Sequence, residues 1–285
     1  MGVSKLRVLD LFSGIGGFSL GLERTGGFET VAFCEIEPFP RRVLAKHWPE
    51  VPCYDDVRTL TADRLEADGI TVDVICGGFP CQPFSSGGKR TAISDDRHLW
   101  PEMQRLVAAI RPRWVICENV AGFVSVGLDL VLADLEACDY EAWSLSIPAC
   151  AVGAPHRRER WWIVGHYLGD TDGAPAHPHA KTSEQRGAVS ESSRWATEPA
   201  VGRMAHGVSG RVDRLKSLGN AVVPQIPELI GRAILQASAV ARVIDPEAFL
   251  FGSHGNVARR EQALAKADCV IAMLPGYEPQ KESAK

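Results

Sequence analysis

An open, mainly parallel α/β sheet flanked by helices is the architecture this sequence predicts, with a small irregular insert late in the chain. Three observations carry it. Short apolar runs alternate with helix-like stretches through the first 165 or so residues, the pattern of repeated strand–helix units. A glycine-rich turn follows the first apolar run directly. Between about 167 and 212 the alternation stops and the chain becomes rich in Gly, Pro, Ser and Ala, as a long loop region does.

Taken in order, "LRVLDLFSG" reads as a strand and its glycine turn, and "GGFSLGLERTG" as the helix that follows. "FETVAFCEIE" is a second strand. The helix "EPFPRRVLAKHW" comes next, with Pro38 near its first turn, where a missing N–H costs nothing. A short third strand precedes Asp56. "VDVICGG" and "RWVICENV" are two more strands, separated by the helical pattern "HLWPEMQRLVAAI". "WSLSIPAC" and "RWWIVGHY" read as later strands of the same sheet. Helical pattern returns in "PQIPELIGRAILQASAVARV", residues 224 to 243, and "ARREQALAKADCVIAML" is a candidate helix in the tail. There is no internal repeat.

The 285 residues suit one large α/β domain with an insertion. Hydrophobic content of 45% and charged content of 23% are ordinary for a soluble globular protein. No apolar stretch is long enough to span a bilayer, and the start lacks the apolar segment of a secretory signal. Eight cysteines are scattered with no CxxC pair, so neither a zinc site nor a disulfide framework is expected, and the reading is a cytoplasmic protein. The net charge of −4 excludes a generally basic coat. Between Lys181 and Lys216, however, seven basic residues face four acids, a local excess that suits phosphates as well as it suits a solvated loop.

The turn after the first strand reads Phe12-Ser13-Gly14-Ile15-Gly16-Gly17, and Glu35 ends the second strand 21 positions after Gly14. That register of strand, glycine loop, helix, strand and acid points to a nucleoside site, with the carboxylate on ribose hydroxyls. The dinucleotide fingerprint is incomplete, because Ser19 stands where its third glycine would fall. This disfavours a nicotinamide oxidoreductase. Asp56 is placed to accept from an adenine amino group, or to cap a helix.

Cys81 follows "VDVICGG" in a Pro-Cys-Gln turn at the sheet edge where ligands bind in such folds. On position alone its thiol is open between a reactive and a structural reading. The loop after it, "SSGGKRTAISDDR", has the composition of a closing lid. The next strand ends in Glu118, which can protonate or hydrogen-bond a nitrogen heterocycle, or simply cap the strand. Arg158 and Arg160, two apart before a strand, share a face if extended. His156 lacks a partner at metal spacing, and no metal is expected.

Together and in order, "DLFSGIGGFSLGLE", "CEIE", "DDV", "GGFPCQPFS", "ENV", "PHRRER" and "LGNAVVP" resemble the cytosine-5 DNA methyltransferases, over residues 10 to about 235. The resemblance implies a Rossmann-like methyltransferase fold and S-adenosyl-L-methionine as cofactor, held by Phe12, Gly14, Gly16, Glu35, Ile36, Asp56, Val57, Asn220 and Val222. It implies that Cys81 attacks carbon 6 of a flipped-out cytosine in double-stranded DNA. Glu118 would lie at ring nitrogen 3 and the exocyclic amine, Arg160 on the carbonyl oxygen, and Arg158 in support. Ser85, Lys89 and Arg90 would contact phosphate, with Arg211 and Arg214 as further DNA contacts.

The same resemblance divides the chain into a catalytic domain 1–166, a target-recognition insert 167–212, a return segment 213–243 and a tail 244–285. Two departures stand out: His156 replaces the family's usual Gln, and the insert is short, as in phage and prophage members. A monomer is expected, with a restriction enzyme as a possible genetic companion. Transfer RNA is the alternative substrate, since relatives that methylate it share the Pro-Cys centre. A non-catalytic DNA-binding relic would have lost a site residue, and every one is present.

Overall fold

A computed structural model describes residues 4–80, 99–169 and 211–243. The chain divides into two units, Met1–Asp170 with Arg194–Arg232, and Thr171–Ser193 with Ala233–Lys285. The first unit holds the sheet. Of the second, the described part is the stretch 233–243, the end of the last helix. Most of the expected insert and all of the expected tail, with its candidate helix, lie outside the described residues.

The sheet has seven strands: β1 (Leu6–Leu11), β2 (Phe28–Cys34), β3 (Cys53–Tyr54), β4 (Val74–Gly77), β5 (Trp114–Val120), β6 (Tyr140–Pro148) and β7 (Glu159–Tyr167). Their spatial order is β3-β2-β1-β4-β5-β7-β6. The first five run parallel; β7 pairs antiparallel with both β5 and β6. The expected mainly parallel α/β sheet is therefore present.

Central strands of such a sheet are covered on both faces, which is why they read as continuous apolar runs. Val8, Leu9, Leu11, Ile75, Val115 and Ile116 are all fully buried. The helices among the described residues are α1 (Gly17–Glu23), α2 (Pro38–His47), α3 (Ala62–Ala67), α4 (Trp100–Ile110), α5 (Leu128–Glu136), α6 (Arg211–Asn220) and α7 (Gln225–Val243).

Three of these helices were not read from the sequence. α3 is a short turn capped by Thr61, whose side chain accepts from the Arg64 N–H. α5 buries Leu128, Val131 and Leu135 at helical spacing. α6 begins at Arg211, inside the expected insert, and continues through the first eight residues of the expected return segment, where no helix was read. At the other border Tyr167 still belongs to β7.

Sheet order reverses between β1 and β4, so the crevice at their carboxyl ends is the place where such folds bind ligands. Register sets which residues meet there. Leu11 pairs with Gly77, and Gly77 with Cys117. The turns that leave β1 and β4 and the last residues of β5 thus emerge side by side.

Candidate active site

The turn after β1 is tightly made. Phe12 takes φ +53°, Gly14 φ +53° and Gly16 φ +84°. A phenylalanine in the left-handed region is strained by about 1–2 kcal/mol, and such strain persists only where surrounding contacts hold it. One clamp is Glu35, 8% exposed at the end of β2. Its Oε2 accepts from the Gly14 N–H at 2.7 Å and its Oε1 from the Glu37 N–H at 2.7 Å. Each oxygen keeps a second lone pair for a hydroxyl. Beside it Ile36 is 58% exposed, an apolar side chain held out where a flat ring can cover it.

The glycines of this region serve different ends. A Cβ on Gly14 would meet nothing within 4 Å, so the loop faces open space there. On Gly16 it would strike the Trp48 ring at 2.7 Å, on Gly17 the Val222 carbonyl oxygen at 2.7 Å, and on Gly21 the Pro224 carbonyl oxygen at 2.1 Å. Gly16 therefore seats a tryptophan, whose indole N–H is itself held by Glu23 at 3.0 Å. Gly17 and Gly21, one helical turn apart, let the backbone of 222–224 lie on α1. The ladder of glycines in "GIGGFSLG" thus admits the returning chain as much as any ligand.

Beneath the turn sits Asp10, completely buried within an apolar strand. Its Oδ2 accepts from the Ser19 hydroxyl at 2.7 Å and the Ser19 N–H at 3.3 Å, while Oδ1 has no partner among the described residues. Burial pushes its pKa up to about 7, against the lowering effect of the Ser19 bonds. Asp10 was not singled out from the sequence. Its signal was a carboxylate inside an otherwise apolar strand.

On the other side of the switch point, β4 leads into Gly78-Phe79-Pro80. Phe79 is 3% exposed and packs edge-on to Phe123 at 5.4 Å and tilted to Trp100 at 5.3 Å. Its carbonyl accepts from the Asn119 side chain at 3.3 Å. Asn119, 4% exposed, also accepts the Val120 N–H at 2.9 Å. The chain is anchored two residues before Cys81. Cys76, inside β4, is fully buried, and burial together with the Asp10 charge holds its thiol well above the usual range. It is an inert core cysteine.

Glu118 and Arg160 form an ion pair, Nε to Oε1 at 2.9 Å, with side chains 13% and 22% exposed. The pairing is a product of register. Glu118 faces Trp162 and Val120 faces Arg160 across β5 and β7, which makes the pair diagonal neighbours on one face. Burial raises the Glu118 pKa, and Arg160 and then Arg158 partly offset this. The result is a carboxyl able to hold a proton above the ordinary carboxylate range.

Arg158 has a separate engagement: its two outer nitrogens donate to the Gly219 carbonyl at 2.7 Å and the Ala221 carbonyl at 3.0 Å. Burial, and then the charge of Arg160, lower its pKa.

Several expected residues are otherwise occupied. Asp56 is bound by its own neighbour, taking the Arg58 N–H at 3.0 Å and the guanidinium at 2.8 Å. Val57 is 4% exposed within the core. Asn220 is exposed at the end of α6 and Val222 is half-buried against α1. Arg214 lies exposed on α6, and Arg211 begins that helix. Cys81, Ser85, Lys89 and Arg90 lie outside the described residues. Lys216, counted from the sequence only within the local basic excess, pairs its ammonium with Glu37 at 2.7 Å and ties α6 to the loop after β2.

A doubly wound sheet with a glycine turn clamped by Glu35 on one side of its switch point and a half-buried Glu118–Arg160 pair on the other has a Rossmann-like architecture. Residues 6–198 match the family model for C-5 cytosine-specific DNA methylases, and the chain belongs to that family. Among curated relatives, the Type II methyltransferase M.HgiBI of Herpetosiphon aurantiacus is 36% identical over 169 residues, 57% of this chain and 38% of that protein. M.HgiCII of the same organism is 33% identical over 192 residues, 65% of this chain and 42% of that protein. The chain thus spans well under half the length of these relatives. A crystal structure assigned as a DNA modification methyltransferase encoded within an E. coli prophage aligns with TM-score 0.50 at 30% identity. It covers 58% of this chain and 47% of the other.

Proposed function

We propose that this chain transfers a methyl group from S-adenosyl-L-methionine to carbon 5 of a cytosine flipped out of duplex DNA, through a covalent adduct with Cys81. The observation that carries the reading is the Glu118–Arg160 pair, half-buried at the end of β5 beside the anchored Phe79-Pro80 exit that leads to Cys81. The Type II methyltransferase relatives and the prophage-encoded neighbour support DNA as substrate and a place in restriction–modification or phage self-protection.

The residues beside the switch point fit the cofactor. Glu35 offers lone pairs to ribose hydroxyls, Ile36 offers an exposed apolar surface to adenine, and Gly14 leaves open space where the ligand would approach. Asn220 and Val222 complete the cradle from the returning segment. When bound, the group supplies an electrophilic methyl on a sulfonium.

The chain's own residues prepare the base. Carbon 5 of cytosine is a weak nucleophile; attack of the Cys81 thiolate on carbon 6 raises its electron density. Charge that accumulates at ring nitrogen 3 is met by a Glu118 carboxyl whose pKa burial has raised, so it can donate a proton there. Arg160 holds Glu118 in place and presents its remaining N–H groups to the carbonyl oxygen. After methyl transfer a solvent base takes the carbon 5 proton, the electrons of that C–H bond restore the ring double bond, and the cysteine leaves carbon 6 as thiolate. Taking the base out of the stack costs a few kcal/mol, which contacts from Ser85, Lys89 and Arg90 to phosphate would offset.

The test is Cys81→Ala assayed with radiolabelled cofactor on duplex DNA and on transfer RNA. Loss of transfer to DNA with retained binding of S-adenosylhomocysteine is expected. Transfer by the variant would overturn the covalent mechanism, and wild-type preference for transfer RNA would overturn the substrate.

A further inference from the structure

We infer that Arg158 is a positioning residue for the cofactor segment, joining the Glu118–Arg160 pocket to the returning chain, rather than a ligand of the flipped base. This rests on the cofactor reading above.

The geometry is specific. Arg158 precedes β7 by one residue and Arg160 lies within it. Their guanidinium groups nevertheless diverge. Arg160 turns its Nε to Glu118 at 2.9 Å. Arg158 spends both outer nitrogens on main-chain carbonyls, Gly219 at 2.7 Å and Ala221 at 3.0 Å. Those carbonyls belong to the 219–220 and 221–222 peptide units, so a single planar fork brackets Asn220 and Ala221. A guanidinium suits that task because its donors are rigidly spaced, whereas an ammonium is a point donor.

The opposite side of the same segment is held by shape. Val222 rests on Gly17 and Pro224 on Gly21. Further back, Lys216 reaches Glu37, next to the loop in which Glu35 sits. The returning chain is thus pinned from β7, from α1 and from the loop after β2. Only the β7 pin is a charged side chain bonded to the segment's own backbone.

Its charge is balanced locally. Arg158 is half-buried beside Arg160, a repulsive neighbour, and Glu118 is the carboxylate whose charge favours the ionised form. A cation that is partly desolvated and bound to neutral carbonyls is retained where removing it costs more than its burial does. Fixing Asn220 before the ligand arrives removes an ordering cost from binding.

The experiment measures equilibrium affinity for S-adenosylhomocysteine, without DNA, by calorimetry on the full chain. Arg158→Ala removes two charge-assisted bonds and is expected to weaken binding by about 30-fold or more. Arg158→Lys, able to reach one carbonyl, recovers part of the loss. Arg157→Ala, an exposed neighbour in the same loop, stays within about twofold of wild type on the scale of surface substitutions. In steady state, Arg158→Lys raises KM for the cofactor while kcat at saturating cofactor is largely kept. Thermal unfolding without ligand identifies any variant that fails to fold, and Arg158→Lys then carries the test. Unchanged affinity in the folded variants, or a fall in kcat with unchanged cofactor KM, overturns the inference. Failure of the wild-type chain itself to bind S-adenosylhomocysteine overturns the cofactor reading instead.

Discussion

Replacing Gly21 by alanine tests how the returning segment is seated. In an unconstrained helix the change stabilises by about 1 kcal/mol. Here the added Cβ would lie 2.1 Å from the Pro224 carbonyl oxygen, 2.9 Å from the Pro227 Cβ and 3.1 Å from the Glu228 nitrogen. Restoring an ordinary carbon–oxygen contact of about 3.3 Å moves the start of α7 by a little over 1 Å. The obstructing atoms belong to backbone and proline, which cannot swing aside as a long side chain does. Overpacking of this kind costs about 1–3 kcal/mol, so a net loss of up to about 2 kcal/mol is expected once the helix gain is subtracted. The contrast is Gly219→Ala on α6, where a Cβ meets nothing within 4 Å. That change leaves the carbonyl that Arg158 binds and should be neutral or stabilising by up to about 1 kcal/mol. Urea denaturation of the full chain gives both signs directly, and S-adenosylhomocysteine affinity should fall for Gly21→Ala alone. A Gly21→Ala protein as stable as wild type, with unchanged affinity, would refute the argument that this glycine exists for the close approach of 222–224.

Two further outcomes follow from the buried acids. Asp10 keeps its proton to about pH 7 in the folded chain against an ordinary 3.8. The unfolded chain therefore releases that proton first, and stability falls as pH rises from about 4 to 7, by about 4 kcal/mol in total. Asp10→Asn keeps the neutral shape and should flatten that slope in urea midpoints taken across the range; an unaltered slope would remove Asp10 as its source. Glu118→Gln keeps the size of the side chain and loses the proton it can give. Turnover should fall by about 10²–10⁴-fold with S-adenosylhomocysteine affinity intact, and near-wild-type turnover would reject Glu118 as the group at the ring nitrogen.

Much of the architecture was legible because its signals are local. Continuous apolar runs such as "VICG" and "WVIC" mark strands covered on both faces, and the spacing of the glycine turn after β1 and the acid after β2 anticipates the Gly14–Glu35 contact. α3 and α6 were not, because six and ten residues with few buried apolar positions carry weak periodicity. The partners of the glycines were invisible for a different reason. Gly16, Gly17 and Gly21 look alike along the chain, yet one seats Trp48 and two seat residues some 200 positions away.

The sequence by itself determined the strands and the helices apart from α3, α5 and α6, the family and the identity of the groups expected to do chemistry, since these depend on residue type and on spacing within a few turns of chain. Only the tertiary structure decided what those groups touch. It gave Asp56 to Arg58 and Val57 to the core. It set Glu118 diagonal to Arg160 through the β5–β7 register, and it sent Arg158 to the backbone around Asn220. Two arginines separated by one residue acquire different roles because antiparallel pairing and the path of a distant segment set their surroundings, and neither is encoded in local spacing.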